Sequence, residues 1–352
     1  IVFFPQKPLD RLLQPVLIIG SINRKLPSAM IANSGEYRKK NGQRGYVIMN
    51  NFIFENKAKV YFGKGGVKEY LGGLLANFGE TVMLAYGGGS IKCNGVYDEI
   101  MGILNAQGKY VVEFSGIMSN PTYAKVQEGA KLARENHVAL ILAAGGGSVS
   151  DCCKVISGAF DTLSHAMETY FGKPDENNLS DDINEAVMRS VIRNIRVLLT
   201  DPENYDARSE LARASAMAEN GVLKIGKVTD FQCHMLEHQL GAYTNCNHGA
   251  GLAVIHPVLY RHIYKSGAAR FAWFAQNVWG IASKGSDEET AAAGIDALAA
   301  FIKEIGLPTS FAELGIPDDT DFRAVADSTN ITAGCCKKLT HDEICEILQE
   351  CL

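Results

Sequence analysis

Two stretches decide how this chain is read: Thr81-Val-Met-Leu-Ala-Tyr-Gly-Gly-Gly-Ser90 and Val138-Ala-Leu-Ile-Leu-Ala-Ala-Gly-Gly-Gly-Ser148. Each is a short apolar run, the length of a buried strand, that ends in a glycine turn and leads into helical sequence. Glycine lets backbone approach a ligand closely, and the helix that follows offers unpaired N–H groups to an anion. A strand is expected near Tyr110 to Phe114 between the two units, with helices near Val67 to Asn77, Val96 to Leu104 and Thr122 to Asn136 and a further strand at Val60 to Phe62. Strands alternating with helices of this length require right-handed crossovers and a parallel sheet covered on both faces. Two glycine turns at the carboxyl edge of such a sheet point to a dinucleotide phosphate site.

Beyond Asp161 strand signals fade and helical spacing takes over, with candidates near 181–199, 204–220, 229–242, 250–263, 268–281, 287–305 and 341–350. The chain therefore reads as an α/β Rossmann-like nucleotide-binding domain followed by an all-α domain. Ser286 with Glu289 three positions on forms a capping-box pattern, and Gly306-Leu307-Pro308 supplies a stop.

The helical half also carries the metal-binding residue types. Asp161 and His165 lie four apart, as do His234 and His238, so each pair shares one helix face, and His248 follows shortly after. Three imidazoles and a carboxylate form an N/O ligand set for zinc or ferrous iron. Taken singly, each histidine reads more readily as one that only satisfies hydrogen bonds; it is the group of four that points to a metal. No CxxC pair exists among the nine cysteines, and their odd number and the adjacent pairs Cys152-Cys153 and Cys335-Cys336 do not suit a secreted disulfide framework. A reducing, cytoplasmic setting is the expectation.

A net charge of -5, with both signs mixed along the chain, gives no field for nucleic acid or anionic lipid, and no apolar run is long enough to span a membrane. Residues 1–48, interrupted by Pro5, Pro8, Pro15 and Pro27, read as an extension without a motif.

In combination, Tyr61-Phe-Gly-Lys-Gly65, Tyr86-Gly-Gly-Gly-Ser-Ile-Lys92, Ala144-Gly-Gly-Gly-Ser-Val149 with Asp151, Gly158-Ala-Phe-Asp-Thr-Leu-Ser-His165, His234-Met-Leu-Glu-His238 and His248-Gly-Ala-Gly-Leu-Ala253 resemble the iron-containing alcohol dehydrogenase family, in its NADPH-dependent butanol dehydrogenase-like branch. The resemblance begins at Met49 and implies a dehydroquinate synthase-like architecture, with a cofactor domain over 49–157 and a helical metal-binding domain over 158–352. It places the metal, Fe2+ or Zn2+, on Asp161, His165, His234 and His248, and puts His238 near the nicotinamide as the catalytic candidate. Phosphate binding falls on Gly146, Gly147 and Ser148, with Asp151 beside them. Gly88, Gly89, Ser90 and Lys92 resemble members that accept the 2'-phosphate of NADP(H), with NAD(H) as the alternative. The implied reaction interconverts small alcohols and aldehydes by hydride transfer, with the metal polarising the oxygen. Related proteins are often dimers, so a homodimer is expected. Glu168 and Glu237, close in sequence to the ligands, are expected to support them rather than to catalyse.

One departure from the family stands out. Only nine residues separate Asp151 from Asp161, where family members place several dozen, so part of the first domain is missing and the helix after Gly147 should run almost directly into the one bearing Asp161. Either the cofactor cleft is lost and an inactive metal-binding remnant is left, or residues 1–48 rebuild the missing strands, with Val16 to Ile19 and Tyr46 to Met49 as the apolar runs that could pair. A lyase of the dehydroquinate synthase type is the other enzyme reading, and it lacks a basic cluster for a phosphorylated substrate.

Overall fold

A computed structural model of the chain describes residues 65–117, 123–144, 152–174, 176–331 and 336–352, Tyr61, and the backbone of residues 2–5, 37–38 and 44–45. The first part is β1 (Val2–Pro5), β2 (Tyr37–Arg38), β3 (Arg44–Gly45), α1 (Gly66–Leu75), β4 (Thr81–Tyr86), α2 (Ser90–Cys93), α3 (Val96–Ala106), β5 (Tyr110–Phe114), α4 (Tyr123–Glu135) and β6 (Leu140–Ala144). β4, β5 and β6 are parallel in the order β5-β4-β6, and the first residues of the chain close the other side of β6 as the antiparallel strand β1.

Alternation along β4 explains why the sheet is covered twice. Val82, Leu84 and Tyr86 pack with Leu71 and Leu75 of α1 and Ile100 and Leu104 of α3, whereas Met83 and Ala85 pack with Val112, Phe114 and Ala133 on the opposite face. The expected strand from Val138 starts two residues later. The Val138 N–H still closes the end of α4 on the Ala133 carbonyl, and the Ala139 N–H makes the first bond across to β4, at the Thr81 carbonyl.

The free edge of β6 is taken by a segment from within residues 1–48. Val2–Pro5 pairs with Leu140 to Ala143, whereas Val16 to Ile19 and Tyr46 to Met49 lie outside the described residues. So does most of the strand expected at Val60 to Phe62.

The second part is helical: α5 (Cys152–Tyr170), α6 (Leu179–Thr200), α7 (Tyr205–Glu219), α8 (Gln232–Thr244), α9 (His248–Ile263), α10 (Ala268–Asn277), α11 (Asp287–Glu304), α12 (Phe311–Leu314), α13 (Phe322–Ser328) and α14 (His341–Glu350). One apolar core runs through it, from Phe160 and Leu163 of α5 to Ile347 and Leu348 of α14. α5 passes the expected boundary at 157/158 unbroken, as the short link to Asp161 requires.

The capping box at Ser286 and Glu289 opens α11 as its sequence suggests. α8 begins at Gln232 rather than near 229, because Phe231 sits at φ 54, in the left-handed region that interrupts a helix. α10 stops at Asn277, short of 281, before the left-handed Gly280. Among the described residues no helix is long and apolar enough to cross a membrane.

Candidate metal centre

Three helices bring the candidate ligands together. Asp161 and His165 lie one turn apart on α5, and His234 is in the first turn of α8. α8 ends in left-handed Asn245, and two residues later Asn247 caps α9 by accepting the Ala250 N–H, so His248 becomes the first residue of α9. This tight link carries His248 back towards His234.

Asp161, His234 and His248 each offer a ligand atom within 4.8 Å of the others. His234 Nε2 is 3.3 Å and His248 Nε2 is 3.4 Å from the same Asp161 Oδ1. Ligands on a tetrahedral ion with bonds of 2.0–2.1 Å stand about 3.3 Å apart, so these spacings suit one ion between them.

Buried carboxylates set the rings. Glu168 accepts from His234 Nδ1 and, at 2.6 Å, from the Cys233 N–H, while Glu237 accepts from His248 Nδ1. Fixing Nδ1 this way turns each Nε2 towards Asp161, the arrangement by which outer carboxylates orient metal-binding histidines. Both glutamates thus take the supporting place expected of them.

The electrostatics favour positive charge at the centre. Burial alone would raise the Asp161 carboxyl, yet the His234 and His248 imidazoles hold it well below the usual range. Burial alone would lower the two histidines, but the carboxylates around them push His234 up to about 9 and His248 up to about 10. A proton or a metal ion satisfies the same field.

His165 stands beside this cluster. Its Nε2 is 3.6 Å from Asp161 Oδ1 and 2.8 Å from Glu219 Oε1, and its ring lies 4.2 Å from that of His234. His238 is exposed at the rim and stacks on His248 at 5.2 Å. Partial burial, and then the charge of His248, lower its pKa.

Several partners were not evident in the sequence. Ser164 Oγ lies 2.6 Å from His256 Nε2 behind the cluster, and burial drives His256 down to about 4. The spacing of His256, two turns after His248 on α9, was an available signal. Phe231 walls the rings of His165 and His234 at 5.3 and 5.0 Å from its left-handed position, an outlier for a bulky residue.

α5 and α9 touch backbone to backbone beside His248. A Cβ on Gly249 would lie 2.1 Å from the Ser157 carbonyl oxygen. Gly249→Ala is therefore expected to cost about 2–3 kcal/mol of stability through overpacking and to weaken metal binding by displacing His248. Denaturant midpoints and a metal titration check this, and an unchanged variant would contradict the close approach.

The cofactor candidates are placed unevenly. Gly88 and Gly89 form the turn between β4 and α2, with Gly89 at φ 107, and Ser90 starts α2. Lys92 folds back over the rings of Tyr86 and Tyr97 at 5.2 and 4.5 Å and lies 3.5 Å from Glu113 Oε2. Both tyrosine hydroxyls donate to Glu113, at 2.5 and 2.6 Å.

Gly146, Gly147, Ser148 and Asp151 lie outside the described residues. The described strand before them ends at Ala144, which pairs in register with Tyr86. β4 and β6 therefore end side by side, at the point where the order β5-β4-β6 reverses, which is where open α/β sheets bind ligands.

The family model for the C-terminal part of the Fe-containing alcohol dehydrogenase family matches residues 155–352, and the model for iron-containing alcohol dehydrogenase matches 57–186. The chain belongs to the iron-containing alcohol dehydrogenase family. Membership gives the enzyme class, an oxidoreductase of the alcohol dehydrogenase kind.

Among relatives of this dehydrogenase, NADH-dependent butanol dehydrogenase A of Clostridium acetobutylicum is 28% identical over 389 residues, covering 86% of this chain and all of that protein. The NADPH-dependent aldehyde reductase YqhD of Escherichia coli is 27% identical over 356 residues, covering 76% of this chain and 90% of that one. The crystal structure of NADH-dependent butanol dehydrogenase A from Thermotoga maritima superposes with a TM-score of 0.80 at 26% identity, over 87% of this chain and 100% of that one. The Clostridium alignment runs over more positions than 86% of 352 residues can fill, so this dehydrogenase lacks stretches that its relative has.

Proposed function

We propose that this dehydrogenase interconverts small primary alcohols and aldehydes, using NADP(H) or NAD(H) and one metal ion held by Asp161, His165, His234 and His248. Support comes chiefly from two imidazole Nε2 atoms turned onto one carboxylate oxygen, each ring oriented from behind by a buried glutamate. Fe2+ follows the family's name, and Zn2+ suits the same N/O donors.

When bound, the metal would supply Lewis acidity at the alcohol or carbonyl oxygen, and the nicotinamide would supply or take the hydride. Glu168 and Glu237 keep His234 and His248 in fixed orientations while that chemistry runs. His238, exposed beside His248 and with its pKa lowered by partial burial, would relay the hydroxyl proton or orient the cofactor. Gly88, Gly89 and Ser90, with Gly146, Gly147 and Ser148, would cradle the cofactor phosphates, and Asp151 would stand next to them.

For NADP(H), the 2'-phosphate would have to draw Lys92 away from Glu113; relatives named for NADH and for NADPH leave both cofactors in this proposal. A cytoplasmic homodimer is the setting the reading implies. The short passage from β6 to α5 favours a second reading, a metal-binding remnant without turnover.

One experiment separates them. Purified protein loaded with Fe2+ or Zn2+ should bind NADH or NADPH and oxidise it with butanal, and lose turnover on chelation. Turnover untouched by chelation would sink the metal mechanism, and metal binding with neither cofactor binding nor turnover would leave the remnant.

A further inference from the structure

The sheet carries a carboxylate that the metal centre does not use. Glu113 is the next-to-last residue of β5, the strand that runs beside β4 and follows its glycine turn in the chain. In doubly wound sheets this is where a carboxylate takes the adenosine ribose 2'-hydroxyl of NAD(H), or a cation takes the 2'-phosphate of NADP(H). Here the two stand together. Lys92 Nζ lies 3.5 Å from Glu113 Oε2, and the side chains are 49% and 41% exposed, so both are open to a ligand.

We infer that Glu113 is a specificity-determining residue, whose carboxylate accepts the adenosine ribose 2'-hydroxyl and competes with a 2'-phosphate for Lys92, biasing the site towards NAD(H). The inference rests on the cofactor reading proposed above. Tyr86 donates to Glu113 Oε2 at 2.5 Å and Tyr97 to Oε1 at 2.6 Å. An ionised carboxylate has room for about four hydrogen bonds, so the two phenols leave acceptor sites for a ribose hydroxyl. The same two bonds, Tyr86 first, hold the carboxyl below its usual range against partial burial, so Glu113 meets the cofactor as an anion.

The anchoring also sets what an incoming phosphate meets. Held at both oxygens by tyrosines from β4 and α3, Glu113 cannot swing away from a second anion. Lys92 lies over the rings of the same tyrosines, at 5.2 and 4.5 Å, so its charge is shared between ring faces and carboxylate before any nucleotide arrives. A 2'-phosphate must draw Lys92 from both and sit beside a fixed negative charge. A 2'-hydroxyl does neither, and it brings a donor that the carboxylate can accept.

The test is the dissociation constants of NADH and NADPH, read from the fluorescence of the bound nicotinamide, for the wild-type chain, Glu113→Gln, Lys92→Met and the double variant. Glutamine keeps the size of the side chain and an acceptor for the tyrosines, so Glu113→Gln removes the charge and little else. It should move the ratio of affinities towards NADPH by about five- to tenfold, the scale of a few exposed charge contacts. In the Lys92→Met background the same change should give less than about half that shift, because the contested cation is gone. A damaged tyrosine cluster would weaken both nucleotides alike and leave the ratio where it was. An unchanged ratio in Glu113→Gln, a ratio that moves towards NADH, or a shift undiminished without Lys92 overturns the inference while leaving the cofactor site standing. A wild-type chain that binds neither nucleotide removes the cofactor reading itself, and this inference with it.

Discussion

His248→Ala and His234→Ala should each lower metal affinity by more than about 100-fold and reduce alcohol–aldehyde turnover to background, since loss of an outer partner alone costs 10–100-fold. The two variants should differ in stability. His234 is almost wholly buried and faces Glu168, which is fully buried, so its removal leaves that carboxylate in the core with only backbone N–H donors and should cost about 3–5 kcal/mol. His248 is 30% exposed, and its partner Glu237 keeps a contact with Cys246 Sγ at 3.8 Å, so that variant should stay closer to the wild-type midpoint. Metal content by atomic emission, thermal midpoints and NAD(P)H oxidation separate the effects. Unchanged activity in both variants would end the metal mechanism, and equal destabilisation would mean that the buried Glu168 pair matters less to the fold than its burial implies.

Much of this site was legible because helix periodicity is local. Asp161 with His165, and His234 with His238, had to share helix faces whatever the tertiary arrangement, and the glycine turns had to follow strands. The sequence did not reveal which nitrogen each histidine presents, because that depends on acceptors from other elements: Glu168 on α5 for a ring on α8, and Glu237 on α8 for a ring on α9. Glu113 was missed for the same reason. It reads as an ordinary polar strand residue until β4, α2 and α3 bring Tyr86, Lys92 and Tyr97 onto it. The left-handed Phe231 gave no warning either, since only glycine advertises a positive φ in a sequence. Pairing of the sheet by a segment of residues 1–48 was foreseen; Val2–Pro5 takes the edge of β6, and the runs named for it, Val16 to Ile19 and Tyr46 to Met49, lie outside the described residues.

A stability effect as large as that of His234→Ala is expected away from the ligands, at Asp181. Its carboxylate is fully buried on α6 and accepts from Lys227 Nζ and from Arg270 Nη2 of α10, the latter at 2.5 Å, while the Arg270 guanidinium lies 4.5 Å from the centre of the Tyr170 ring at the end of α5. Asp181→Ala leaves two buried cations without their shared anion and should cost about 3–5 kcal/mol. In a chain of this size that lowers the melting temperature by roughly 10 °C. Replacing all three charges together, Asp181→Leu with Lys227→Met and Arg270→Met, should recover much of the loss, because apolar side chains of similar volume avoid the desolvation that the ion group bears. Below the melting transition the single variant should still bind metal, since Asp181 is not one of the residues facing the cluster. A fall of less than about 1 kcal/mol would place the charges in contact with water rather than in the core. Loss of metal at full helicity would instead mean that the α5, α6 and α10 junction holds the Asp161 helix in place.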